Sequence, residues 1–218
     1  MTKEEYTFEL EASPFSWFIY SQELYNAGNV LYQNRYLEIN SFPNLDSKHG
    51  LMNSSYLLFG YSLENVIKGI LIAKKPDLIN DFRMNLKITK GHDLVNLVKD
   101  LNNLTKQDKK ILKLLSDIIP NWGRYPVSKD SKMKKTNINQ PDEFKNEIDR
   151  IWLKLISILY ELIKDGNWIS PSGIKTGFFR DSTLEKNFDL SVQEINDRGE
   201  NWRLKHSGNV DLNKTTYF

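Results

Sequence analysis

The chain of 218 residues contains no cysteine. That absence excludes a disulfide framework, a thiolate zinc site, an iron–sulfur cluster and a cysteine nucleophile. With no secretory leader pattern evident, the expectation is a cytoplasmic protein. An excess of one charge is lacking too, since 30 basic against 28 acidic residues give a net charge of +2. Any nucleic-acid contact must therefore come from a local patch rather than from the chain as a whole. Long apolar runs are scarce: the most hydrophobic segment, Tyr56 to Ala73, is interrupted by Glu64 and Lys68, so no membrane association is expected. Also missing are a P-loop, G-x-G-x-x-G, H-E-x-x-H and G-x-S-x-G, as well as any repeat of fixed period. No cofactor and no metal are expected.

What is present suits one core: 39% of residues are apolar and 12% aromatic. The first ten or so residues are charged and read as loose. Ser13-Pro14 reads as an N-cap with proline at the first helical position, opening a helix to about residue 38. Phe15, Phe18, Ile19, Leu24, Tyr25, Val30, Leu31 and Tyr32 supply its expected apolar face. A second helix is predicted from about 51 to 74, with Leu57, Leu58, Tyr61, Leu63, Val66, Ile67, Ile70 and Leu71 making a face wide enough for the centre of a bundle. Pro76 ends it, and a linker with modest helical potential runs to Gly91.

Leu94, Leu97, Val98 and Leu101 predict a short third helix capped by His92 or Asp93. Thr105 opens a fourth, because Asp108 stands at capping-box spacing, and the stripe Ile111, Leu112, Leu115, Ile118, Ile119 runs to Pro120. Pro141, followed by Asp142 and Glu143, starts a long final helix that ends near Lys164 at Gly166. The expected fold is thus all-α, an antiparallel bundle of about five helices over 1–166. Residues 167–218 are expected to form an irregular extension, packed on the bundle or on a second subunit through Trp168, Phe178, Phe179 and Trp202. Asn209 to Phe218 reads as a short strand.

Three stretches carry candidate chemistry. Glu64 and Lys68, four residues apart on an apolar helix, are either a surface ion pair or the rim of a groove in which the carboxylate orients His92 or Arg124. His92 and Asp93 at a helix entrance either cap the first turn or place an imidazole at a cleft, suited to proton transfer. Trp122-Gly-Arg124-Tyr125-Pro126 sets a guanidinium between aromatic rings, suited to hold phosphate and stack on a base. Alternatively Arg124 caps helix carbonyls while Trp122 and Tyr125 fill the core. Lys129, Lys132, Lys134 and Lys135 come directly after and extend the basic stretch.

In this order Leu63-Glu64 with Lys68, then Gly91-His92-Asp93-Leu94, then Arg124-Tyr125-Pro126 resemble the HEPN superfamily (higher eukaryotes and prokaryotes nucleotide-binding), over about residues 15 to 164. The resemblance implies an antiparallel helical bundle, a homodimer, and binding of nucleotide or RNA. It also implies a role as metal-independent ribonuclease in toxin–antitoxin or phage-defence systems, as partner of a nucleotidyltransferase or antitoxin, or as an inactive binding or scaffold protein. Active members carry an arginine with a histidine four to six residues later. Here no histidine occurs after Arg124 until His206, and Arg203 stands only three residues before it. In an active version Arg124 would hold the scissile phosphate and His92 would move a proton, with Glu64, Asp93 and Tyr125 orienting them.

Overall fold

Helix-forming signals and small residues at one seam organise the bundle. The computed structural model describes residues 1–36, 50–85, 92–101, 104–122, 138 and 140–177. Among them are six α-helices and two short hairpins, an all-α bundle as the patterning predicts. The first helix is a correction. The charged N-terminus forms α1 (Lys3–Glu11), because Thr2 and Glu5 make a capping box, Thr2 N–H donating to Glu5 Oε2 at 2.6 Å and Glu5 N–H to Thr2 Oγ1 at 3.2 Å.

Ser13 caps α2 (Pro14–Gln33) as expected, accepting from Ser16 N–H at 3.4 Å. Its buried face differs from the apolar pattern. Pro14, Phe18, Ser21, Tyr25, Gly28 and Tyr32, spaced alternately by four and three residues, line the contact, whereas Ile19 is 36% and Val30 58% exposed. Small residues let the helices approach: Ser21 Oγ donates to Ser62 O at 3.0 Å, and Ser62 Oγ to Ser21 O at 2.7 Å. A Cβ on Gly28 would lie 2.7 Å from the Phe59 ring.

Those partners belong to α3 (Gly50–Lys74), the central helix, which touches α2 and every later helix of the bundle. Leu63, Val66, Ile67, Ile70 and Ile72 are sealed from solvent, and Gly60 admits Ile119 so closely that a Cβ there would lie 2.7 Å from Ile119 Cγ1. By length and composition Leu51–Lys74 is apolar enough to cross a membrane, despite Glu64 and Lys68. Its most apolar window is 67% buried inside the bundle, as a core helix should be.

The linker after Pro76 is a second correction. A single 3₁₀ turn, Pro76–Leu78, leads into the hairpin β1 (Ile79–Asn80) and β2 (Arg83–Met84), whose two turn residues Asp81 and Phe82 both have positive φ, 49° and 53°. A two-residue hairpin turn needs that conformation to match strand twist. Next come one turn of helix, α4 (Leu94–Leu97), and α5 (Lys106–Asp117). The Thr105–Asp108 capping box of α5 is formed as read from its spacing, with bonds of 2.9 and 3.1 Å. The helix does not stop at Pro120 but widens into a π-helical turn, Ile118–Trp122. Proline cannot supply the amide of an ordinary turn and its ring crowds the carbonyl four residues back, which a wider turn relieves.

The long final helix, α6 (Pro141–Ile163), buries Phe144, Ile148, Ile151, Leu155, Ile156, Leu159 and Ile163. Trp152 stacks on Tyr25 of α2 with ring centroids 3.9 Å apart and planes 7° from parallel. Left-handed Asp165 and Gly166 turn the chain away. As far as residue 177 the extension is regular rather than irregular: β3 (Trp168–Ile169) pairs with β4 (Lys175–Thr176). This hairpin docks through Trp168 Nε1, which donates to Ile72 O at 3.4 Å, and through Ser170 and Ser172, whose hydroxyls donate to the buried Glu9 carboxylate of α1. Phe178, Phe179, Trp202 and the strand expected at 209–218 lie outside the described residues.

Candidate functional site

Glu64 and Lys68 lie one helical turn apart on α3, so their side chains share a face. Neither is a surface group. Their side chains are 6% and 9% exposed, and Lys68 Nζ donates to Glu64 Oε1 at 2.5 Å. The reading of a solvated ion pair is therefore wrong, since both groups are largely removed from water. Trp17 of α2 adds a ring whose centroid is 5.8 Å from Lys68 Nζ, and Trp17 Nε1 is itself held by Ala12 O at 3.1 Å.

The second carboxylate oxygen reaches His92, since Glu64 Oε2 is 2.8 Å from Nδ1. A carboxylate sharing its first oxygen with an ammonium is ionised and only accepts, so Nδ1 carries the hydrogen. In the neutral imidazole the lone pair is then on Nε2, where it can take a proton. In the imidazolium Nε2–H can donate to an anion. His92 is also the most open member of the group, with its side chain 31% exposed. The Tyr61 ring stands edge-on to it, centroids 5.9 Å apart at 73°.

Asp93 does a different task. Its side chain accepts from Asn96 N–H at 3.1 Å, so Asp93 is the cap of α4 and His92 is left free of that role. Trp122 is the last residue of the π-helical turn. Arg124, Tyr125, Lys129, Lys132, Lys134 and Lys135 lie outside the described residues. Of the residues singled out by sequence, the structure thus joins Glu64, Lys68 and His92 through one carboxylate and gives Asp93 to the helix.

Sequence reading missed two further ionic clusters and one hydroxyl. Asp108, fully buried, accepts from Arg150 and from Thr105 N–H, and Lys154 lies 3.5 Å away. Burial pushes its carboxyl up, but the hydrogen bonds from Arg150 and Thr105 and the Arg150 charge outweigh that and hold it below the ordinary value. Lys145 is buried beside the rings of Phe59, Tyr25 and Tyr32 and donates to Asp149, which also accepts from Tyr25 Oη at 2.5 Å. Burial lowers its ammonium and Asp149 only partly restores it. The available signal was charge on an apolar face: Lys145 and Asp149 interleave with Phe144, Ile148 and Trp152 on α6. The hydroxyl is Ser116, buried on α5, which accepts from Leu94 N–H at 2.9 Å. Nothing in a lone helical serine announces that.

Fold and site together define a helical bundle whose central helix presents an ionised, buried carboxylate to a half-open imidazole. Among the described residues no three His, Asp or Glu side chains are grouped to hold a metal ion. Comparison with known proteins returns no matching family model, no matching curated protein and no matching solved structure.

Proposed function

We propose that this chain is a HEPN-like helical protein that binds the phosphate of a nucleotide or of RNA, with His92 as the contacting group and the basic stretch from Arg124 to Lys135 as a second source of positive charge. One observation supports the reading: Glu64 Oε2 lies 2.8 Å from His92 Nδ1, which occupies that nitrogen and leaves Nε2 as the one that could meet a ligand. Motif order adds to it, because the same Glu64, Lys68 and His92 belong to the fragments that resemble the family. A homodimer, and a nucleotidyltransferase or antitoxin partner, form part of the same proposal.

Binding of a short single-stranded RNA and of a nucleoside monophosphate to the full chain tests this. Affinity should fall by about tenfold in His92→Ala, the worth of one charge-assisted hydrogen bond. It should also fall steeply with salt, because phosphate contacts release counterions. Unchanged affinity in His92→Ala, or a flat salt response, removes the proposal.

The tautomer favours a second reading, a metal-independent endoribonuclease in which Nε2 accepts the 2′-hydroxyl proton and Arg124 stabilises charge on the phosphate. RNA cleavage in EDTA that disappears in both His92→Ala and Arg124→Ala is its expected signature. Cleavage surviving either substitution discards it.

A further inference from the structure

His92 precedes a helix of only four residues, too short to hold its own entrance in place. Something else must fix it. Asp93 has φ −82° and ψ 87°, the conformation of an inverse γ-turn, and Leu94 N–H reaches back to His92 O at 3.1 Å. That amide is shared. Ser116 Oγ accepts from it at 2.9 Å while donating its own hydrogen to Leu112 O at 2.7 Å. The hydroxyl is thus locked in one orientation by α5, with its lone pair turned to the amide that closes the turn after His92.

Two helices consequently set the imidazole from opposite ends. Glu64 of α3 takes Nδ1, and Ser116 of α5 takes the backbone next door. Asp93 does not replace Ser116 in this role, because its carboxylate caps Asn96 N–H within the same short helix and meets α5 only through the charge of Lys113, leaving the Leu94 amide to Ser116. We propose that Ser116 is a positioning residue for His92: by pinning the Leu94 amide to α5 it holds the imidazole within reach of Glu64 and so determines which ring nitrogen bears the hydrogen. α5 continues directly into the π-helical turn that ends at Trp122, two residues before Arg124. One helix therefore places the His92 entrance and leads into the basic stretch. The effect on tautomer depends on geometry alone; the effect on phosphate affinity rests on the proposed phosphate-binding function.

Two-bond proton–nitrogen correlation spectra of the full chain labelled at histidine nitrogen provide the test, with His92 assigned among the three histidines by His92→Gln. The wild type should show the Nδ1–H form. In Ser116→Ala the ratio of Nδ1–H to Nε2–H should fall about fivefold, the equivalent of one ordinary net hydrogen bond. Ser116→Thr keeps the hydroxyl and should restore the wild-type ratio. Should Ser116→Ala not fold, Ser116→Cys, a weaker acceptor of similar size, should shift the ratio in the same direction. General loss of stability would not move this ratio in the folded population, so an unchanged ratio in the folded Ala or Cys variant overturns the positioning role. The same samples titrated with short single-stranded RNA separate the two claims. A shifted ratio with reduced RNA affinity supports both. A shifted ratio in a chain whose wild type binds no RNA keeps the positioning role and removes the phosphate-binding function.

Discussion

Replacing Glu64 by glutamine keeps the shape of the side chain and removes its charge, leaving the Lys68 ammonium, 9% exposed, without a counterion. Breaking a buried pair from one side costs about 3–5 kcal/mol, because the surviving ion keeps its desolvation penalty. Glutamine's carbonyl oxygen retains a hydrogen bond to Nζ, and the Trp17 ring 5.8 Å away contributes a further favourable contact. The expected loss is therefore at the lower end, about 3 kcal/mol. For a chain of this length about 2–4 °C of Tm accompanies each kcal/mol, so Tm should fall by about 6–12 °C. Calorimetry together with urea unfolding measures it. The double variant Glu64→Leu with Lys68→Met removes both ions and should recover most of the loss, since apolar replacement of a whole buried pair is often close to neutral. A loss below about 1 kcal/mol for Glu64→Gln, the range of a surface pair, would refute the assignment of these groups to a water-excluded site.

Asp108 predicts an acid dependence. Its folded carboxyl lies below the ordinary value, so its stabilisation is fully present above the unfolded value near 3.8 and is lost as pH falls through the depressed one. Asp108→Asn should cost about 2–3 kcal/mol at neutral pH, as expected for hydrogen bonds to charged groups, and progressively less at pH 3 and below; an equal cost at both pH values would contradict the pairing with Arg150. Gly28→Ala should destabilise by about 1–2 kcal/mol, because overpacking against the Phe59 ring exceeds the roughly 1 kcal/mol gained in helix propensity. A stabilised Gly28→Ala protein in urea unfolding would show that α2 and α3 leave room for a methyl group at their seam.

Local chemistry was legible where a signal and its partner are neighbours in sequence. The Thr105–Asp108 box, the Ser13-Pro14 start and the Glu64–Lys68 spacing all lie within one helical turn, and each forms. Burial was harder to read. Ile19 and Val30 look like core residues on α2, yet the seam is made by Ser21 and Gly28, whose small size permits close approach but leaves no mark in an apolar pattern. The two hairpins have strands of two residues, too short for any alternation to show. At the site, the pairing of Glu64 with His92 spans 28 residues and depends on how α4 is carried back to α3. Ser116 is further from legibility still, since its partner is a backbone amide and any residue but proline at 94 would offer the same one.

The α1 helix is a different case, since its Thr2–Glu5 capping box is a local signal and only its seating depends on a remote partner. Its charged composition suggested a loose end, whereas Glu9 is buried and its Ser170 partner lies 161 residues further along the chain. Such a separation matters during synthesis. A ribosome adding about 5–20 residues per second must translate the whole bundle before the serines that satisfy this carboxylate emerge. Until then the first helix can be capped by Thr2 and held to α2 through Ser16 Oγ donating to Leu10 O, while its Glu9 carboxylate still lacks the hydroxyls that satisfy it.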